Sequence, residues 1–260
     1  WTPTAGTAVR GTVLLLPGRG EHPGLYARFG RRLAFDGYRV LAPADVESLA
    51  DTSRLAAQVT EAREHPGPVV LAGSDTGALL ALAAAAGAAR PDALLLAGPP
   101  DDARAPGPAW SDELTARTAC PVHRGLLAAD PAFRPGLLGV PVPAELASAA
   151  AAAVPDLPAL VLHGLADPVA DPGNARSLAA RLPRAELVLV ADGRHDVLND
   201  AAHRSVAAHV VQWLERLRAG GSDLSELRHL PHLLTTADRT AGRDLHRTDH
   251  RATERKGPAS

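Results

Sequence analysis

Short runs of consecutive apolar residues alternate along this chain with longer stretches in which apolar positions recur every three or four residues. Residues 12–17 (Thr-Val-Leu-Leu-Leu-Pro) form the first run, between Gly11 and Gly18. So short and continuous a run reads as a buried strand of a parallel sheet. Residues 25–35 then place Leu25, Phe29, Leu33 and Phe35 among arginines, the spacing of an amphipathic helix, which Gly37 stops. The rhythm repeats: a strand over 38–42, a helix over 53–64 with Ser53 as its cap, a strand over 68–73, a small-residue helix over 77–86 and a strand over 93–97. It resumes with a strand over 159–164, a helix over 174–182, a strand over 186–190 and a long amphipathic helix over 201–217. Strands alternating with helices imply a mainly parallel sheet covered on both faces.

Two stretches break the rhythm. Residues 101–156 carry helix-like pieces and several prolines. In a parallel sheet such an excursion sits over the carboxyl ends of the strands, as a lid. From Gly220 the chain turns polar and loses periodicity, so residues 220–260 are expected to be a mostly disordered tail. The expected organisation is therefore a core from residues 1–100 and 157–219, a lid insertion over 101–156 and that tail. The tail histidines His229, His232, His246 and His250 match no zinc spacing.

Composition narrows the picture. Apolar residues make up 46% of the chain but aromatics only 3%, so the core must be built from Ala, Leu and Val. At a net charge of −2, nothing global argues for a nucleic-acid or anionic-membrane partner. The longest apolar stretch, residues 78–89, is too short and Ala-rich to span a bilayer. A single cysteine, Cys120, permits no internal disulfide, and with no visible signal peptide the expected location is cytoplasmic. The chain starts at Trp1 and contains no Met, which reads as a fragment or a processed form.

The candidate chemistry starts at Gly73-Ser74-Asp75-Thr76-Gly77, which follows a strand and opens a helix. That is the setting of a nucleophile elbow, in which a strained turn lifts the middle side chain above the sheet. The flanking positions must be small, and here they are glycines. The helix amino terminus adds a positive dipole beside developing negative charge. The middle residue is Asp75 where Ser is usual. One alternative is that Asp75 only caps the helix. Another makes Ser74 the nucleophile, which puts a β-branched Thr76 at a tight position.

Two more motifs fall at strand ends in the required order of nucleophile, acid and histidine. His163-Gly164-Leu165-Ala166-Asp167 places Asp167 where it can orient an imidazole, and Gly193-Arg194-His195-Asp196 places His195 at the same edge. After the first strand, the glycine-rich turn from Pro17 can aim the Arg19 backbone N–H, together with that of Thr76, as an oxyanion hole.

These residues resemble the α/β-hydrolase superfamily, and within it the monoacylglycerol lipase and lysophospholipase-like group. The resemblance covers about residues 11–217. It rests on Gly18-Arg19-Gly20-Glu21-His22 with Tyr26, matching a Gly-x-Gly-Glu-His-x-x-x-Tyr segment, and on His163 to Asp167, matching a His-Gly-x-x-Asp acid loop. It implies an α/β-hydrolase fold whose amino-terminal strands are missing or truncated. Pro17-Gly18 departs from the group's usual His-Gly, and Asp75 resembles the elbow of haloalkane dehalogenases and epoxide hydrolases instead.

A carboxylate needs no base to act as a nucleophile, and it attacks an sp³ carbon better than an ester carbonyl. Asp75 would form an alkyl ester, and His195, oriented by Asp167, would activate the water that cleaves it. The relatives' leaving-group devices are absent: Tyr26 and Tyr38, the only tyrosines, lie outside the lid, and Thr76 stands where dehalogenases place Trp. The lid offers Trp110 and His123 as possible donors, although Trp110 is expected to pack the lid and His123 to be solvated. Three functions follow: a covalent hydrolase of a small uncharged or lipid-like molecule, a lipase-like ester hydrolase with an altered nucleophile, or a non-catalytic binding protein on the same scaffold. Neither cofactor nor metal is expected, and the partner is a small-molecule substrate.

Overall fold

The computed structural model describes residues 1–43, 46, 48–101 and 105–220, and the backbone of a short strand at Leu233–Leu234. The core is a sheet of seven strands: β1 (Gly11–Leu16), β2 (Tyr38–Leu41), β3 (Val69–Ser74), β4 (Ala93–Ala97), β5 (Ala159–Gly164), β6 (Ala185–Val190) and β7 (Leu233–Leu234). Their order is β2-β1-β3-β4-β5-β6-β7, and each neighbouring pair is parallel. Because every strand starts at the same edge, the turns after β3, β5 and β6 all open on the other.

Alternation along the strands divides the core in two. Val13, Leu15, Val70, Ala72, Leu95, Leu160 and Leu162 face α1 (Ala27–Phe35) and α8 (His203–Arg218). Leu14, Leu16, Leu71, Leu94, Leu96 and Val161 face α2 (Thr52–Ala62), α3 (Thr76–Ala86) and α7 (Pro172–Arg181). Each fully buried Leu or Val contributes roughly 1.5–3 kcal/mol. This two-faced burial is why the strands read as unbroken apolar runs. The Ala-rich α3 lies close against the sheet, with seven of its eleven residues buried.

Residues 105–156 carry α4 (Trp110–Arg117), α5 (Pro121–Ala129) and α6 (Ala144–Ala152). The end of α4 is bonded to the turn after β6: the N–H groups of His195 and Asp196 donate to the carbonyls of Ala116 and Arg117, at 3.3 and 2.8 Å.

Several local expectations need correction. Ser53 lies inside α2 and does not cap it. A 3-10 turn (Leu49–Asp51) leads into the helix, and Ser48 opens that turn by bonding Asp51 Oδ2 through its N–H at 3.0 Å and its hydroxyl at 2.9 Å. In the polar tail, β7 pairs with the last two residues of β6. The tail reading otherwise falls outside the described residues, as do its four histidines. Ahead of β1, Trp1 pairs with Val40 through Val40 N–H to Trp1 O at 2.8 Å. Among the described residues, no helix is long and apolar enough to cross a membrane.

Candidate active site

The turn after β3 has the geometry its glycines suggest. Asp75 adopts φ 50° and is the one non-glycine residue with positive φ among those described. Such a conformation costs of order 1–3 kcal/mol and persists only where the surroundings enforce it. Here the strand and helix close on each other. A Cβ on Gly73 would lie 2.1 Å from Gly77 O, and one on Gly77 would lie 2.3 Å from Leu16 O. Ser74 is the last residue of β3, buried, with its hydroxyl against the Tyr26 phenol, so it does not occupy the raised position.

The three strand-end residues converge. His195 Nε2 lies 3.2 Å from Asp75 Oδ1, and His195 Nδ1 lies 2.8 Å from Asp167 Oδ2. Asp167 is itself fixed, since its Oδ1 accepts the N–H groups of Val169 and Ala170 at 2.8 and 3.1 Å. His163, below the acid loop, places Nε2 3.4 Å from Asp167 Oδ2 and 3.1 Å from Ala170 O. Asp75, Asp167 and His195 are all buried.

Arg19 supplies more than the backbone donor expected of it. Its N–H donates to Asp75 Oδ2 at 2.8 Å. Its side chain also closes on the carboxylate, with Nε 2.9 Å from Oδ2 and Nη2 2.8 Å from Oδ1, while Nη1 donates to Val140 O at 2.5 Å. Among the described residues, no hydrogen bond joins the Thr76 N–H to this carboxylate.

Burial pushes the Asp75 carboxyl up, but the hydrogen bonds and charges of His195 and Arg19 outweigh it and hold the group far below the usual carboxylate range. Burial pushes His195 down, and the charge and hydrogen bond of Asp167, with those of Asp75, overcome this and raise it to about 10. The resting site is thus two carboxylates balanced by an imidazolium and a guanidinium.

A cavity of about 210 Å³ adjoins the elbow, lined by Arg19, Thr76, Gly77, Leu80, Leu137 and Leu146 among others. Asp75 and His195 do not line it, because Arg19 stands between. A larger cavity of about 430 Å³, lined by Trp1, Val40 and Glu61, runs along β2 away from all three site residues.

The two proposed lid donors go elsewhere. Trp110 packs on Phe133, with ring centroids 5.4 Å apart. His123 is buried, not solvated, and faces Asp196, with Nε2 3.6 Å from Oδ2. Neither reaches Asp75. A second set of buried charges had no clear trace in the sequence. Arg117, fully buried, donates through Nη2 to Arg19 O at 2.6 Å and through Nε to Glu113 Oε1 at 3.0 Å, and its Nη1 lies 3.4 Å from Asp196 Oδ1. Glu21 accepts the N–H of Gly18 at 3.0 Å and the hydroxyl of Tyr26. Burial and the nearby Asp196 charge raise the Glu21 carboxyl to about 7. The one local clue was the four-residue spacing of Glu113 and Arg117 on α4.

Comparison with known proteins identifies the architecture. The chain is similar to a soluble variant of monoglyceride lipase from Saccharomyces cerevisiae, with a TM-score of 0.68 and 18% identity over 84% of this chain and 90% of that one. It is similar to the monoacylglycerol lipase of Paleococcus ferrophilus, with a TM-score of 0.65 and 19% identity over 82% and 96%. An α/β hydrolase from Sphaerobacter thermophilus matches with a TM-score of 0.52 and 22% identity over 80% and 93%. The chain has the α/β-hydrolase fold. Residues 138–225 also match the Abhydrolase_4 family, described as TAP-like protein, a stretch that contains Asp167 and His195 but neither Asp75 nor Arg19. No curated protein matches the chain.

Proposed function

We propose that the chain is a hydrolase in which Asp75 is the nucleophile, Asp167 orients His195, and His195 activates water. The observation that carries this reading is how donors are shared over the Asp75 carboxylate. Oδ2 rests on the Arg19 N–H, where an oxyanion would develop, and Oδ1 faces His195 Nε2.

For reaction, the Arg19 side chain turns away from the carboxylate and admits substrate from the adjoining cavity. Oδ1 attacks an sp³ carbon, the bond to the leaving group breaks, and that group departs with the electron pair. The freed guanidinium is placed to hold it. A guanidinium gives hydrogen bonds but no proton at neutral pH. This favours a group that leaves as a stable anion, such as halide, over an epoxide oxygen that needs a proton. It also gives Arg19 the task that lid tyrosines or a halide-binding Trp perform in the families Asp75 resembles.

Ester formation removes the Asp75 charge, one of the two that hold the proton on His195. His195 then loses that proton to solvent and becomes a base. It takes a proton from water, whose oxygen adds to the Asp75 carboxyl carbon, and the negative charge on Oδ2 meets the Arg19 N–H. Collapse expels the alkoxide, which takes the proton from Nε2 and leaves as the alcohol, and the carboxylic acid left on Asp75 passes its proton to His195, restoring the carboxylate and the imidazolium.

A second reading is a carboxylic ester hydrolase with an altered nucleophile. It is supported by the lipases among the similar structures and by the apolar side of the cavity, where Leu80, Leu137 and Leu146 suit an acyl chain.

The test is mass spectrometry of a His195→Gln variant incubated with haloalkane, epoxide and short-chain ester panels. The expected result is an alkyl adduct on the peptide containing Asp75, given by the haloalkanes. Absence of any adduct, together with strong esterase activity in an Asp75→Ser variant, would replace this reading with the second.

A further inference from the structure

Beside the elbow, three buried side chains from distant parts of the chain meet. Glu21 comes from the turn after β1, His123 from α5 and Asp196 from the turn after β6. One ligand atom from each lies within 4.8 Å of the others, and among the described residues this is the one such group of His, Cys, Asp and Glu. We propose that these three residues bind a divalent transition-metal ion of the Zn²⁺ class.

Unmet hydrogen-bonding capacity is the first argument. Glu21 Oε1, Asp196 Oδ2 and both ring nitrogens of His123 are buried and have no hydrogen-bond partner. Each such orphan costs about 1–3 kcal/mol, and one ion would satisfy three of the four, one from each residue. The remaining oxygens of the acids are already held, Glu21 Oε2 by Gly18 and Tyr26 and Asp196 Oδ1 by Arg117. Held in this way, each acid keeps one oxygen free, which is how outer partners orient metal-ligating carboxylates.

Charge is the second argument. Arg117 is the cation nearest the cluster, and Glu113 already engages it through Nε and Nη2. Glu21, Glu113 and Asp196 therefore share the single positive charge of Arg117, and a divalent ion would offset the excess of negative charge. Asp75 and Asp167 have Arg19 and His195 as their nearest cations, and the proposal does not depend on how that group reacts.

Geometry and donor type choose the ion. Ligands about 2.0–2.2 Å from a tetrahedral ion stand roughly 3.4 Å apart, and His123 Nε2 and Asp196 Oδ2 are 3.6 Å apart. The third ligand closes in by side-chain rotation. One imidazole with two carboxylates suits Zn²⁺, whereas Ca²⁺ and Mg²⁺ need more oxygen ligands or retained waters than this buried set provides. Bound there, the ion would tie the Arg19 turn and the His195 turn to α5, as a structural clamp.

The test uses the full chain, stripped with chelator and titrated with Zn²⁺ by calorimetry and in thermal melts. The wild type should take up one equivalent more than either His123→Leu or Glu21→Gln, and its melting temperature should rise with Zn²⁺ but not with Mg²⁺ or Ca²⁺. A His65→Asn control should match the wild type. If the variants do not fold, Co²⁺ loading of the wild type decides, since a buried site of this kind gives a tetrahedral visible spectrum that Zn²⁺ bleaches. Uptake no greater than that of folded His123→Leu, or absence of that spectrum, overturns the proposal.

Discussion

The guanidinium of Arg19 closes on the carboxylate of Asp75, with Nη2 2.8 Å from Oδ1 and Nε 2.9 Å from Oδ2. The same residue donates its backbone N–H to Oδ2. One residue therefore offers Asp75 both a backbone donor and a side-chain cation.

Replacing Arg19 with Met separates these two contributions. The backbone donor stays, and the side-chain pair goes. Chemistry that uses the guanidinium on the leaving group should slow by about 10²–10³-fold, the usual cost of one electrostatic donor at a reacting centre. Hydrolysis of a preformed Asp75 ester, which needs only the N–H, should change little. Rapid-quench measurement of the two steps checks this. Equal loss in both steps would show that Arg19 acts by holding the turn in shape.

His195 makes stability depend on pH in a predictable direction. Its folded value of about 10 lies above the ordinary 6.5. Its contribution is therefore complete below about pH 6.5 and is lost as pH rises through 10. Asp75 is depressed, so its contribution is present above the ordinary carboxylate range and falls away in acid. Urea unfolding should give a wild type clearly less stable at pH 9.5 than at pH 6, and His195→Gln should remove most of that difference.

The sequence and the structure meet most closely where physics is local. Leu14, Leu94 and Leu160 sit in runs whose two-faced burial is written as continuous apolarity, so the strands were legible. Gly73 and Gly77 announce the tight turn around Asp75 because only glycine fits there. Chain order suggested Asp167 and His195, and the fold brings both to Asp75. What stayed hidden was long-range pairing of charged side chains. Arg19 meets Asp75 across 56 residues, and Arg117 meets Asp196 across 79. In sequence each looks like an ordinary solvated charge. His123 was misjudged for the same reason, since nothing near it in the chain says that Glu21 and Asp196 will enclose it.

Gly77→Ala tests the close approach of α3 to β1. A methyl group would stand 2.3 Å from Leu16 O and 2.5 Å from Pro17 O, both backbone atoms that cannot rotate away. The helix must shift, and Asp75 at its start shifts with it. The expected loss is about 1–3 kcal/mol in denaturant unfolding, the range for overpacking a filled core. Any activity should fall further than stability alone explains. Gly125→Ala, where nothing lies within 4 Å of the added methyl, is the matched control.

Arg117 joins three parts of the molecule that local sequence does not connect. Its guanidinium reaches Glu113 on its own helix, Asp196 beside His195, and the carbonyl of Arg19. Its charge is fully buried, and the acids around it hold it protonated against that burial. Removing one member of such a set strands the others, at about 3–5 kcal/mol. Arg117→Met should therefore lower the unfolding free energy by that order. Glu113→Gln, which keeps the shape and an acceptor, should cost much less. The double variant Glu113→Leu with Arg117→Met should recover part of the loss, because removing both partners removes much of the stranded charge. A double variant as unstable as the sum of its singles would show that Arg117 acts mainly through the Arg19 carbonyl and Asp196, and that the pair on α4 is incidental.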